Sequence, residues 1–261
     1  MSVGVLVVGH GTADPVGAAE ARQVAATIAS LMPNVAVELG FLEVIAPTID
    51  DAMARLASRG CEAVVVSPLL LFTAAHAKHD VPVAVTAAAT ALGLRVHRAD
   101  ALGEAPELVH LARRRFHEAM VRPAAVPLDE TMLVMVGRGA SDPTAVSQFE
   151  SFVAAMLAGA ERPRRVGIGF VAAALPTLDE AIEAAAASRQ EGCRRVVVQP
   201  HLLFSGHVED QVSDAVARGR ELEPTIDWLQ AARLGADPDV ARAAIRRILA
   251  VLEPESLSRH G

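Results

Sequence analysis

Three side chains that can bind a metal or accept a proton each follow an apolar run of the sequence. They are His10, Glu43 and His76. Two imidazoles and one carboxylate suit a divalent first-row metal and leave coordination positions open for a further ligand. The same groups could instead act as proton acceptors. A single histidine after a strand is more often structural, so a metal or proton-transfer site is predicted only if all three residues lie together.

The apolar runs are typical of buried parallel strands, and helical patterns separate them. Strands are predicted at 3–8, 35–42, 63–72 and 94–97, and helices follow each of them. This alternation predicts a parallel sheet covered by helices on both faces. Ligands of such doubly wound sheets bind at the carboxyl ends of the strands, which is where the three candidate residues fall.

The chain repeats itself after about 130 positions. Residues 9–15, which include Gly9-His10-Gly11, return as residues 137–143, and residues 64–68 return as 196–200. A period of this length indicates a duplicated domain rather than a solenoid. The sequence therefore predicts an α/β protein of two tandem doubly wound parallel-sheet domains, with the active site in the cleft between them. The predicted limits are 1–122 and 129–252, joined by a proline-containing linker and followed by a disordered tail at 253–261.

The second copy keeps one of the three candidate residues. The counterparts of the histidine, the glutamate and the second histidine are Arg138, Ala172 and His207. The first half is therefore expected to carry the chemistry.

Several motifs together resemble the sirohydrochlorin chelatases of the CbiX/SirB type, over residues 3–252. They are Val8-Gly9-His10-Gly11, Gly40-Phe41-Leu42-Glu43 with Pro47, Ser67-Pro68-Leu69-Leu70-Leu71-Phe72, and His76-Ala77-Lys78-His79-Asp80-Val81-Pro82. The resemblance implies ATP-independent insertion of Co²⁺ or Fe²⁺ into sirohydrochlorin on the way to cobalamin or sirohaem. Ni²⁺ is a further candidate metal, because nitrogen and oxygen ligands generally bind it more tightly than Co²⁺ or Fe²⁺. The resemblance places His10, Glu43 and His76 at metal-binding and proton-abstracting positions. The metal is then a substrate, and no organic cofactor is expected.

Cations are expected to bind the carboxylates of such a tetrapyrrole, because the chain carries a net charge of −7. Arg138 and Lys78 are the candidates for this role. His207 is expected to face the same cleft as Arg138 and to contact the substrate. At the end of a later buried strand, His201 is expected either to line the cleft or to be structural.

Composition argues against other functions. A sequence pI of about 5.7 and an aromatic fraction of 3% disfavour nucleic-acid binding. Two cysteines are too few for a disulfide scaffold or an iron–sulfur cluster. The N-terminus lacks the basic region of a signal peptide, and the apolar stretch 63–75 is too short to span a membrane. A cytoplasmic, monomeric protein is expected.

Two other hypotheses about function compete with that of a chelatase. A phosphohistidine enzyme would have arginine directly before the histidine, where this chain has Gly9. A non-enzymatic metal- or tetrapyrrole-binding protein, such as a metallochaperone, would also need convergent histidine and glutamate. The physiological metal stays open, with cobalt favoured because the long tandem form resembles members of the cobalamin pathway.

Overall fold

The computed structural model describes residues 2–72, 80–121, 126–159 and 161–257. Within these ranges, strands and helices alternate along the chain. The strands are β1 (Val3–Gly9), β2 (Val37–Phe41), β3 (Ala63–Pro68), β4 (Arg95–Arg98), β5 (Thr131–Gly137), β6 (Arg165–Phe170), β7 (Arg195–Pro200) and β8 (Asp227–Gln230). The helices are α1 (Pro15–Leu31), α2 (Ile49–Ser58), α3 (Asp80–Leu92), α4 (Pro106–Met120), α5 (Pro143–Leu157), α6 (Leu178–Ala187), α7 (His207–Leu222) and α8 (Pro238–Leu257).

The strands form two parallel sheets with the same topology. Their orders are β2-β1-β3-β4 and β6-β5-β7-β8, and every pairing among these strands is parallel. The predicted fold class, two duplicated α/β domains with parallel sheets, is confirmed. The carboxyl ends of β1 and β2 lie side by side, with Gly9 paired to Phe41.

Helices cover both faces of each sheet, because the strand residues that point to either face are mostly apolar. In the first sheet, Leu6 and Val8 of β1 pack in one cluster with Met53 of α2 and Val85 of α3. On the other face, α1 and α8 pack together, α1 against β2 and α8 against β3. Fully burying each of these large side chains stabilises the fold by about 1.5–3 kcal/mol.

Helix capping positions the loops that follow the first strand of each sheet. The Asp14 carboxylate accepts a hydrogen bond from the Val16 amide at 2.8 Å, and proline opens the first turn of α1. Asp142 caps α5 in the same way through the Thr144 amide, at 2.9 Å. Such caps contribute about 0.5–2 kcal/mol to the stability of the helix or protein. They also fix the residue at which the preceding loop ends.

The last helix of each sequence repeat belongs to the opposite compact unit. One unit comprises Met1–Leu108 with Ala236–Gly261, and the other comprises Val109–Gly235. In the second unit, the Gln199 side chain on β7 donates to the Ala112 carbonyl of α4 at 2.8 Å. The predicted limits 1–122 and 129–252 thus follow the sequence repeats and differ from the compact units. As limits of the duplicated segments they stay a prediction, as does the cleft between the halves.

Matching arginines hold α4 and α8, the two exchanged helices that belong to the compact unit of the other sequence repeat. Arg115 of α4 donates to the carbonyls of Arg233 and Leu234, both at 3.1 Å. At the matching position of α8, Arg247 donates to the Leu102 carbonyl at 3.0 Å. Each helix is therefore attached to the loop that follows the fourth strand of its sheet.

The last helix continues further along the chain than the sequence predicted. The expected tail begins at residue 253, but α8 continues to Leu257. Extending an existing helix needs no new nucleus, so further residues join it readily. Within the described ranges, every helix is too short or too polar to span a lipid bilayer.

Candidate active site

His10 and Glu43 lie together at the carboxyl edge of the first sheet. His10 follows β1 directly, and Glu43 comes two residues after the end of β2. Because these strands are parallel neighbours, their following residues reach the same edge. The His10 Nε2 atom lies 3.0 Å from the Glu43 Oε1 atom. The structure thus brings together two of the three predicted ligands, and their role as ligands stays a prediction.

The third predicted ligand, His76, lies outside the described residues, and so does Lys78. β3 is the other neighbour of β1 and ends at Pro68. Among the residues that the structure describes, no three histidine, cysteine, aspartate or glutamate side chains group as a metal site. The described part of the candidate site is therefore the His10–Glu43 pair.

The main chain of Glu43 is hydrogen-bonded on both sides. Its amide donates to the His10 carbonyl at 3.1 Å, which extends the strand pairing past the end of β2. Its carbonyl accepts the Ile45 amide at 2.8 Å. The three-residue turn closed by this second bond has Val44 at its centre, with φ +71°. The glutamate is thus fixed by bonds that do not involve its carboxylate.

Gly11 permits the close approach between the loops of His10 and Glu43. Its φ is +101°, and a Cβ atom there would lie 2.0 Å from the Glu43 carbonyl oxygen. A side chain would therefore push the two loops apart, in addition to being strained at this φ. No role was predicted for Gly11 from the sequence, although the glycine is present after both copies of the first strand.

Arg22 attaches α1 to the loop that carries Glu43. Its guanidinium donates to the Ala46 carbonyl at 3.0 Å and lies 5.4 Å from the centre of the Phe41 ring. The matching residue of the second repeat is Glu150. The sequence carries one signal for Arg22, because the charge at this position is reversed in the same repeat that lacks the glutamate, but no role was predicted from it.

The pair is open to solvent. The exposed fractions of the His10 and Glu43 side chains are 54% and 57%. Water screens the attraction between such groups, so their mutual interaction contributes little to stability. A neutral imidazole nitrogen and a carboxylate oxygen both offer lone pairs to a divalent metal. The arrangement can therefore receive a metal ion and also accept protons.

The second unit keeps the loop backbone and changes the side chains. The Ala172 amide donates to the Arg138 carbonyl at 3.0 Å, as Glu43 does to His10. A Cβ atom on Gly139, whose φ is +85°, would lie 1.8 Å from the Ala172 carbonyl oxygen. Arg138 is exposed after β5, and His207 is exposed at the start of α7. A carboxylate is absent at the position of Ala172, so this loop cannot reproduce the pair.

Comparison with known proteins agrees with this architecture. The CbiX family model matches residues 4–119 and 132–251, which together are most of the chain.

The chain belongs to the CbiX family.

Curated relatives include enzymes named for two metals. A sirohydrochlorin ferrochelatase of Priestia megaterium is 31% identical over 214 residues, covering 80% of this chain and 76% of the relative. A sirohydrochlorin cobaltochelatase of the same organism is 26% identical over 253 residues, covering 96% and 80%. The solved structure of SirB from Bacillus subtilis with Fe³⁺ has a TM-score of 0.81 at 25% identity, covering 96% of each chain. SirB from Bacillus subtilis subspecies spizizenii in complex with cobalt has a TM-score of 0.75 at 25% identity, covering 98% of each chain.

In this CbiX-family chain, His201 is a core residue and not part of an open site. It follows β7, is 3% exposed, and its ring lies 5.6 Å from that of Phe149 and 4.1 Å from that of Phe152. Burial lowers the pKa of His201 to about 3 because the charged form loses its hydration. Of the two expectations for this histidine, the structural one agrees with its burial.

Proposed function

We propose that this CbiX-family protein is a sirohydrochlorin chelatase, which inserts Co²⁺ or Fe²⁺ into the ring without ATP. The observation that carries the proposal is the exposed His10–Glu43 pair, 3.0 Å apart, at the carboxyl edge of a CbiX-type sheet. Both metals stay in the proposal, because relatives of similar identity are named for each.

Metal insertion requires two changes that this pair can support. The metal must exchange water for ring nitrogens, and two pyrrole N–H protons must leave the ring. The His10 imidazole and the Glu43 carboxylate offer one nitrogen and one oxygen ligand, which leaves positions open for the incoming ring. Because the pair is exposed, these ligands hold the ion without enclosing it and can release it to the macrocycle.

Proton removal needs bases close to the metal. Each pyrrole proton passes to a base as a metal–nitrogen bond forms, and the base then returns it to water. Glu43 accepts one such proton in this proposal, and His10 is the second candidate base. His76 is proposed as the third ligand from its place in the sequence, because it comes after β3, the other neighbour of β1.

The tetrapyrrole is rich in carboxylates, so its binding needs local positive charge. We assign this role to the cations Arg138 and Lys78, in a chain of net charge −7, and propose His207 as a further residue that contacts the substrate. Arg138 and His207 are exposed and available for such contacts. The protein is further proposed to act in the cytoplasm as a monomer.

The test is metal insertion over many turnovers, followed by visible absorption. Purified protein at a concentration far below that of sirohydrochlorin should convert the whole pool after Co²⁺ or Fe²⁺ is added. The control is the same mixture without protein, because free metal also reacts slowly with the ring. A spectral change limited to one equivalent of protein would instead identify a binding protein or metallochaperone.

A further inference from the structure

Val44 has a backbone conformation that does not suit its side chain. It is the central residue of the turn closed between the Glu43 carbonyl and the Ile45 amide, with φ +71°. Turns of this kind with a positive φ are rare and strained. Residues branched at Cβ are seldom found in the left-handed region, whereas glycine adopts it freely.

The fold does not compensate for this strain by burying the side chain. Val44 is 64% exposed, so it adds little to the packing of the first unit. Glycine would satisfy the turn equally well and would leave the Glu43 hydrogen bonds in place. The reason for valine at this position must therefore be sought outside the core.

The second repeat has the same backbone feature with a smaller side chain. Ala173, the counterpart of Val44, has a φ of +55°. The larger and more strained residue thus occurs in the repeat that carries the His10–Glu43 pair. Strained residues that persist next to a reactive group are commonly part of the function of that site.

We propose that Val44 is a substrate-contacting residue that packs against the apolar face of the tetrapyrrole beside Glu43. This inference rests on the proposed function. The macrocycle has carboxylates at its periphery and an apolar, conjugated face, and the metal enters through that face. A short apolar side chain next to the carboxylate would be covered when the ring lies over the pair, which removes both surfaces from water.

The test separates the strain from the contact. Val44→Gly relieves the strained φ, so we expect a thermal midpoint equal to or above that of the wild type. It also removes the apolar contact, so we expect sirohydrochlorin, probed by fluorescence quenching without metal, to bind about fivefold more weakly. Co²⁺ affinity without tetrapyrrole should be unchanged. Val44→Ile keeps a branched apolar side chain, so it should bind sirohydrochlorin as tightly as the wild type.

Two controls define the result. Ala173→Gly changes the matching turn and should alter tetrapyrrole affinity less than twofold, and so should Leu222→Ala, which removes an apolar side chain exposed at the end of α7. Unchanged tetrapyrrole affinity in Val44→Gly would overturn the inference while leaving the proposed function intact. A loss of Co²⁺ affinity would also overturn it, because Val44 would then act by positioning Glu43. Failure of the wild type to bind or metallate sirohydrochlorin would overturn both proposals.

Discussion

At the scale of single residues, the two repeats share one loop backbone and differ in the side chains placed on it. Gly11 and Gly139 both have positive φ, and both bring their loop against a carbonyl of the neighbouring loop. That carbonyl belongs to Glu43 in the first unit and to Ala172 in the second. Substitutions at these two glycines can therefore distinguish the effect of the loop on stability from its proposed effect on metal binding.

Gly11→Ala and Gly139→Ala should each lower the free energy of unfolding, by roughly 1–3 kcal/mol, because each adds strain and a clash with a carbonyl. Only Gly11→Ala should also weaken Co²⁺ binding, by about tenfold or more, since it displaces Glu43. Urea denaturation and calorimetric titration with Co²⁺ measure the two effects. An equal loss of Co²⁺ affinity in Gly139→Ala would contradict the assignment of the metal to the first unit.

The sequence predicted the meeting of His10 and Glu43 because their strands are apolar, parallel and adjacent, so the residues after them share an edge. It did not predict the roles of Gly11 and Arg22. Those roles depend on how closely the loop after β2 approaches its surroundings, and no periodicity in the sequence reports such a distance. The positive φ of Val44 could not be predicted from the sequence for the same reason.

At the scale of elements, the exchange of helices is the main feature that sequence patterns did not reveal. The pattern predicted a helix at 107–121 and the structure has α4 there. Apolar periodicity shows that a helix buries one face, but it does not show which sheet that face covers. The choice is made by tertiary contacts such as that of Gln199 with the Ala112 carbonyl.

Arg115→Met should destabilise the second unit by about 1–3 kcal/mol, because the carbonyls of Arg233 and Leu234 lose a donor while the apolar stem is kept. Arg247→Met should destabilise the first unit through the Leu102 carbonyl, by a similar amount. The exposed Arg162 provides the control variant, Arg162→Met. Urea midpoints measure the change, and midpoints equal to that of the control would show that these bonds do not hold the exchanged helices.

At the scale of the whole molecule, the buried His201 links stability to pH. Its pKa is about 3 in the folded protein and near 6.5 when unfolded. The unfolded state therefore takes up a proton as the pH falls below about 6.5, and the folded state does not. Stability from this residue is complete above that pH and is lost progressively towards pH 3.

His201→Leu should reduce this loss in acid, because the matching residue of the first repeat is Leu69, which is buried without a titrating group. Between pH 7 and pH 4, the wild type should lose about 3 kcal/mol more stability than the variant. Chemical denaturation at a series of pH values provides the comparison. Parallel stability curves for the two proteins would contradict the burial of a neutral histidine.

Duplication also suggests a division of labour across the molecule, with metal chemistry in the first unit and substrate binding assisted by the second. Arg138→Ala should weaken sirohydrochlorin binding by about 1–3 kcal/mol, or 5- to 150-fold, with a small effect on the maximal rate. Fluorescence quenching gives the affinity and visible absorption gives the rate. Unchanged affinity together with lost turnover would place Arg138 in the catalytic machinery instead.

The most direct test of the account is the rate of Co²⁺ insertion into sirohydrochlorin by the wild type, His10→Ala and Glu43→Ala at saturating tetrapyrrole. Both side chains are exposed, so the variants should fold like the wild type, which their thermal midpoints would check. We expect each variant to lose on the order of 100-fold or more in maximal rate while its affinity for the tetrapyrrole changes little. Variants that keep a rate near that of the wild type would show that the His10–Glu43 pair is not where the metal is inserted.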